Sequence, residues 1–146
     1  MRSINEIVIH CSATAEGKHY SVDTIRDWHV RKRGWSDIGY HYVIYLDGTV
    51  VEGRPVRRAG AHVKGRNKNS IGICYIGGVE SKRRNGKWIA KDTRTEEQKK
   101  ALDCLLDELI TEYNLTYQDI YGHNEFANKS CPCFDVKKEY RNGRER

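Results

Sequence analysis

Hydrophobic and polar positions fall into short, clearly bounded patterns along this chain. Ile7-Val8-Ile9 is a β-branched run too brief for a helix and flanked by polar residues, so it predicts a buried strand carrying His10 and Cys11 at its end. Val22, Ile25, Trp28 and His29 keep helical spacing, with Ser21 placed as N-cap and Gly34 as the C-terminal stop. Tyr40 to Leu46 alternates, Asp47-Gly48 supplies a turn, and Thr49 to Glu52 returns, which predicts a β-hairpin. Ser70 to Ile76 reads as a further strand closed by Gly77-Gly78, and the polar stretch from Glu80 to Asp92 as an exposed loop or extended hairpin. Thr95-Glu96-Glu97-Gln98 is a capping box leading into the stripe Leu102, Leu105, Leu106, Leu109 and Tyr113, which should be the longest helix. Tyr117 to Tyr121 predicts a last strand, Gly122 to Asp135 a loop, and Lys137 onward a basic tail.

Strands and helices interleave, yet one strand pair is an antiparallel hairpin. The expected class is therefore α/β, a single domain over residues 1–146 with a central mixed β-sheet flanked by helices. A chain of 146 residues can bury a core without disulfides or a structural metal, so a metal here would serve chemistry. With 38% hydrophobic and 32% charged residues and only two prolines, disordered and collagen-like classes are excluded. Five cysteines, at 11, 74, 104, 131 and 133, are odd in number and lack a disulfide-scaffold spacing, which predicts folding in a reducing compartment. The start has a glutamate where a signal peptide needs an apolar core, and no apolar run approaches a membrane span. Synthesis in the bacterial cytoplasm without membrane insertion is expected. The net charge of +6 favours an anionic partner but does not choose among nucleic acid, teichoic acid, lipid headgroups and anionic wall peptides.

Catalytic zinc takes three protein ligands from His, Cys or carboxylate and leaves one position open, so histidines and cysteines at element ends are candidates. His10, His123 and Cys131 qualify, and so do others. His10 lies far from the other two in sequence, and no short zinc-binding expression is matched. Taken singly, each histidine reads as a surface or satisfied buried side chain, and each cysteine as a small core residue. His19, His29 and His41 are assigned that way, with Trp35 placed in the core and Asn69 and Ser70 closing a turn.

Five separated blocks change this reading when taken together: Ile9-His10-Cys11-Ser12-Ala13-Thr14, Gly39-Tyr40-His41-Tyr42, Gly60-Ala61-His62, Asn69-Ser70-Ile71-Gly72, and His123 to Asp135. In this order the chain resembles the N-acetylmuramoyl-L-alanine amidase family, and its amidase-type phage lysozymes in particular, from about Ile7 to Asp135. The resemblance implies a hydrolase that cuts the amide between N-acetylmuramic acid and L-alanine of peptidoglycan. It also implies one Zn2+ held by His10, His123 and Cys131 at the strand ends, Tyr40 and Lys129 as catalytic residues, and His62 in the substrate cleft. Two neutral histidines and one thiolate leave a net positive zinc site able to lower the pKa of water to about 7. On that reading water attacks the lactyl-alanine carbonyl, zinc and Lys129 stabilise the oxyanion, and Tyr40 orients the water or relays its proton. The expected enzyme is a monomer that acts on the cell wall after release from the cytoplasm.

Two features depart from the family pattern. Cys133 adds a second thiol two residues past the implied ligand, where it could compete for metal or oxidise with Cys131. The N-terminal extension that contributes to RNA polymerase binding in some phage relatives is short here, which speaks against carrying that function over. Two other classes compete with the enzyme reading. A noncatalytic peptidoglycan recognition module is disfavoured by the filled ligand positions. A nucleic-acid or polymerase-binding regulator is suggested by the basic charge and Lys82 to Lys87, but such a run is usually a solvated face.

Overall fold

In chain order the elements are β1 (Glu6–Cys11), β2 (Thr14–Ala15), α1 (Val22–Asp27), β3 (Tyr42–Ile44), β4 (Val50–Glu52), β5 (Ser70–Tyr75), β6 (Gly78–Val79), α2 (Glu96–Tyr113) and β7 (Ile120–Gly122). They belong to a computed structural model that describes residues 1–143. Five strands form one sheet in the order β4-β3-β5-β1-β7. β1 runs parallel to β5 and β7, β5 parallel to β3, and β4 antiparallel to β3 across the Asp47-Gly48 turn. This is the mixed sheet the patterning predicts. β2 and β6 form a separate two-stranded parallel pair.

The two-residue period of a strand sorts β1 and β5 between two faces. Ile7, Ile9, Ile71, Ile73 and Tyr75 pack in one cluster with Leu102, Leu105, Leu106, Leu109 and Ile110 of α2. Burying each such aliphatic side chain contributes about 2 kcal/mol. The alternate positions, Val8 and His10 of β1 and Ser70, Gly72 and Cys74 of β5, therefore lie on the other face. There Ile25 of α1 joins Ile38, Val43 and Ile76 in a smaller core.

α2 begins with the predicted capping box: Thr95 Oγ1 accepts from Gln98 N–H, and Gln98 Oε1 accepts from Thr95 N–H. Asn114 ends it in the left-handed conformation at φ 55°. Gln98 is fully buried and its Nε2 also donates to the carbonyls of Ile44 and Ile76, tying the helix start to the ends of β3 and β5. Among the described residues no helix is long and apolar enough to cross a membrane.

Three local expectations are corrected. Ser21 caps α1 as predicted, but after Asp27 the chain passes into a wider π turn over Trp28–Lys32 instead of continuing as α-helix to Gly34. In that arrangement the ring Nδ1 of His29 accepts from Gly39 N–H. The last strand starts later than predicted, because Tyr117–Asp119 forms a 3-10 turn in which Thr116 Oγ1 accepts from Gln118 N–H and Asp119 Oδ2 from Thr116 N–H, a local alternative to the sheet ladder. The basic tail is packed as far as it is described. Lys137–Arg141 makes a helical turn, Tyr140 is buried with its hydroxyl on Asp103 Oδ1 at 2.8 Å, and Arg141 donates to the Ile120 carbonyl. Its last three residues lie outside the described ones. The stretch from Glu80 closes as a hairpin, with Arg84 paired to Lys87 and Val79 to Ala90.

Candidate active site

The sheet register brings the two remote histidines together. β1 and β7 are parallel with Ile9 level with Gly122, so His10, near the end of β1, and His123, the first residue past β7, emerge side by side. Their Nδ1 atoms are 3.1 Å apart. Cys131 comes in from the loop after β7, its Sγ accepting from Cys11 N–H at 3.2 Å. That loop is pinned where it matters: Tyr75 donates its hydroxyl to the Pro132 carbonyl at 2.6 Å, Glu125 accepts from Gly122 N–H, and Arg141 pairs with Glu125.

One ligand atom each from His10, His123 and Cys131 lies within 4.8 Å of the others, the group among the described residues fit to hold a metal ion. Two ring nitrogens bound to one tetrahedral zinc at about 2.05 Å would stand about 3.3 Å apart, close to the separation seen. Burial first, then the positive fields of His62, His123 and Lys129, hold His10 well below its ordinary value. His123 is lowered by burial and by Lys129. Both imidazoles are therefore neutral at physiological pH, with lone pairs free for coordination.

Tyr40 stands over this group, its ring centroid 5.1 Å from that of His10. Burial, followed by the neighbouring cysteines, pushes its phenol well above the ordinary value, so it keeps its proton. Lys129 is exposed on the loop and lines the cleft with Tyr40, His123 and Cys131. The cleft continues past His123 to Trp35, Lys64 and Phe126. With Lys32 and Arg33 also on its walls, the cleft is cationic and partly aromatic.

His62 lines the part of that cleft near Trp35 and Phe126 but is almost wholly buried. The residue is 8% exposed, with Nδ1 2.8 Å from His10 Nε2 and Nε2 3.0 Å from Ser70 Oγ. Burial drives it down to about 3. The side chain stands over Gly72, where a β-carbon would lie 2.7 Å from the ring. Ser70, read from the sequence as a turn residue, thus joins the site, as does Asn67, whose Oδ1 accepts from the N–H groups of both His62 and Val63.

Cys133 is placed away from the donor group. Its Sγ lies 3.9 Å from Cys11 Sγ and donates to the Gly78 carbonyl at 3.2 Å. The Cys11 thiol is pushed up to about 12, first by its hydrogen bond to Cys131, and Cys133 is raised further, first by its hydrogen bond to Cys11. Both stay protonated, which disfavours them as ligands beside Cys131. His29 and His41 are the satisfied buried histidines the sequence suggests, each accepting a backbone N–H on Nδ1, from Gly39 and Gly72 respectively.

A family model described as N-acetylmuramoyl-L-alanine amidase matches residues 1–134. The chain is 42% identical to the endolysin of Escherichia phage T7 over 136 residues, covering 93% of this chain and 85% of that protein. It is 31% identical to peptidoglycan-recognition protein SC2 of Drosophila melanogaster, covering 82% of this chain and 60% of that protein. Among solved structures it is similar to the N-acetylmuramoyl-L-alanine amidase LysC from Clostridium intestinale, with a TM-score of 0.76 and 29% identity over 94% of this chain and 85% of that one.

Proposed function

The chain belongs to the N-acetylmuramoyl-L-alanine amidase family and cleaves the amide between N-acetylmuramic acid and L-alanine in peptidoglycan, as endolysins do, and from that premise we propose that His10, His123 and Cys131 hold one zinc ion for the reaction. The observation that carries this reading is the convergence of two imidazoles and a cysteine sulfur within 4.8 Å, two of the three residues lining an open cationic cleft. No carboxylate belongs to that group among the described residues, which suits zinc better than magnesium or calcium. Zinc bound there supplies Lewis-acid chemistry, polarising a carbonyl and acidifying water.

The chain's own residues account for the rest. His10 and His123 stay neutral because they are buried beside cations, so protons do not displace the metal at neutral pH. The Lys129 side chain, exposed on the cleft wall, meets the negative charge that grows on the scissile carbonyl oxygen. The Tyr40 phenol retains its proton and orients the attacking water by donating a hydrogen bond. Lys32, Arg33 and Lys64 attract the carboxylates of a muropeptide stem into the cleft.

The test is zinc content of the purified protein together with release of L-alanine amino termini from sacculi, with and without chelator and with zinc added back. One zinc per chain and release that stops on chelation and returns with zinc is the expected result. Zinc-free protein that binds sacculi and leaves them intact would instead identify a recognition module.

A further inference from the structure

Resting on the zinc reading, we infer that His62 is a positioning residue for the metal ligand His10, acting with Ser70 as a buried hydrogen-bonded strut. His10 turns Nδ1 toward His123, its fellow member of the donor group, so as a neutral ligand there it must carry its proton on Nε2. That nitrogen is 2.8 Å from His62 Nδ1, which therefore accepts. The His62 proton is then on Nε2, 3.0 Å from Ser70 Oγ, which accepts in turn. Run the other way, from Ser70 through His62 to His10, the chain of donors would leave the His10 proton on Nδ1 and consume the lone pair the metal needs. Only one polarity of the strut is compatible with coordination. A ligating histidine whose far N–H is held in this manner has a fixed ring orientation and a more basic coordinating nitrogen.

The surroundings hold the strut rigid. Ser70 is fully buried at the start of β5. The His62 ring occupies space that exists because Gly72 and Gly60 lack side chains, since a β-carbon at either would lie within 2.8 Å of it. Asn67 Oδ1 clamps the backbone at His62 and Val63. Both ring nitrogens of His62 are thus engaged inside the protein, and neither is available to substrate.

The experiment measures zinc affinity by competition with a chromophoric chelator, the visible spectrum of the cobalt-substituted protein, and kcat and KM at saturating zinc. His62→Phe keeps a ring but removes the acceptor, whereas His62→Asn places Oδ1 near the position of Nδ1. Phe should weaken zinc binding about 10- to 100-fold and alter the cobalt spectrum, and Asn should restore most of both. Ser70→Ala, which barely changes packing, should weaken binding severalfold in the same direction. Wild-type zinc affinity in all three variants with a raised KM would overturn the strut and make His62 a substrate contact. Phe and Asn variants weakened equally would also overturn it, leaving a packing role only. Cys131→Ser separates the two levels of argument: if it binds zinc as tightly as the wild type, the ligand assignment itself fails.

Discussion

Acid should loosen this fold through His41, independently of any metal. His41 is fully buried, and its Nδ1 accepts the backbone N–H of Gly72 in the middle of β5, which leaves its one proton on Nε2, pointing at the Arg58 carbonyl 2.8 Å away. A second proton would have to go on Nδ1, where it would confront the Gly72 N–H. Burial above all, with Arg2 and Arg54 adding to it against the Arg58 carbonyl, lowers the group from 6.5 to about 4. In the unfolded chain His41 takes up its proton as pH falls through 6.5, while in the fold it stays neutral until about 4. Its stabilising effect is therefore complete above 6.5, lost progressively between 6.5 and about 4, and not reduced further below that. Integrated from about pH 8 to about pH 5, the loss is about 2 kcal/mol for this one residue. Urea denaturation of the chelator-treated protein at the two pH values measures it, with His41→Asn as the comparison, because Asn Oδ1 can still accept from Gly72 and does not titrate. The variant should be less stable at both values, yet its stability should fall by about 2 kcal/mol less between them. His62, whose ring centroid is 5.9 Å from that of His41 and which His41 helps lower to about 3, stays neutral at both pH values and adds little to the difference. An identical pH dependence in the two proteins would refute the assignment of a buried, neutral His41.

Two further outcomes follow from the site and from the helix start. Lys129→Ala should bind zinc normally and lose roughly 100-fold or more in kcat on sacculi, the scale of a lost oxyanion donor; normal turnover would remove Lys129 from the mechanism. Gln98→Leu withdraws an acceptor from Thr95 N–H and a donor from the Ile76 carbonyl, whereas the Ile44 carbonyl keeps the Ile76 N–H, so the loss should be about 3 kcal/mol in urea denaturation with activity at low temperature retained.

The parts of this protein legible in its sequence are those whose causes are local. The Thr95–Gln98 box and the Asp47-Gly48 turn rest on contacts a few residues long and the leucine stripe on a period repeated within one helix; all three form, with the hairpin strands shorter than read, at Tyr42–Ile44 and Val50–Glu52. The tail misled because its composition is basic while its partners are distant: Tyr140 reaches Asp103, and Glu139 pairs with Arg94, whose side chain is 2% exposed and stacks on Phe134. A run of charges looks solvated until the opposing carboxylates and rings are known. The donor group was legible only through widely separated blocks, since His10 and His123 meet through the register of two parallel strands, a long-range fact that no spacing within either block encodes. His62 shows the sharper limit. Its block places it near the metal but cannot say on which side, because the side is decided by empty space above Gly72 and beside Gly60. A missing side chain leaves no periodicity and no charge to read, so the ring that turns inward to hold His10 and the ring that turns outward to meet substrate have the same sequence. What distinguishes them is the second nitrogen: on His62 it ends on a buried serine, and that contact makes the inward reading testable by zinc affinity and not by turnover alone.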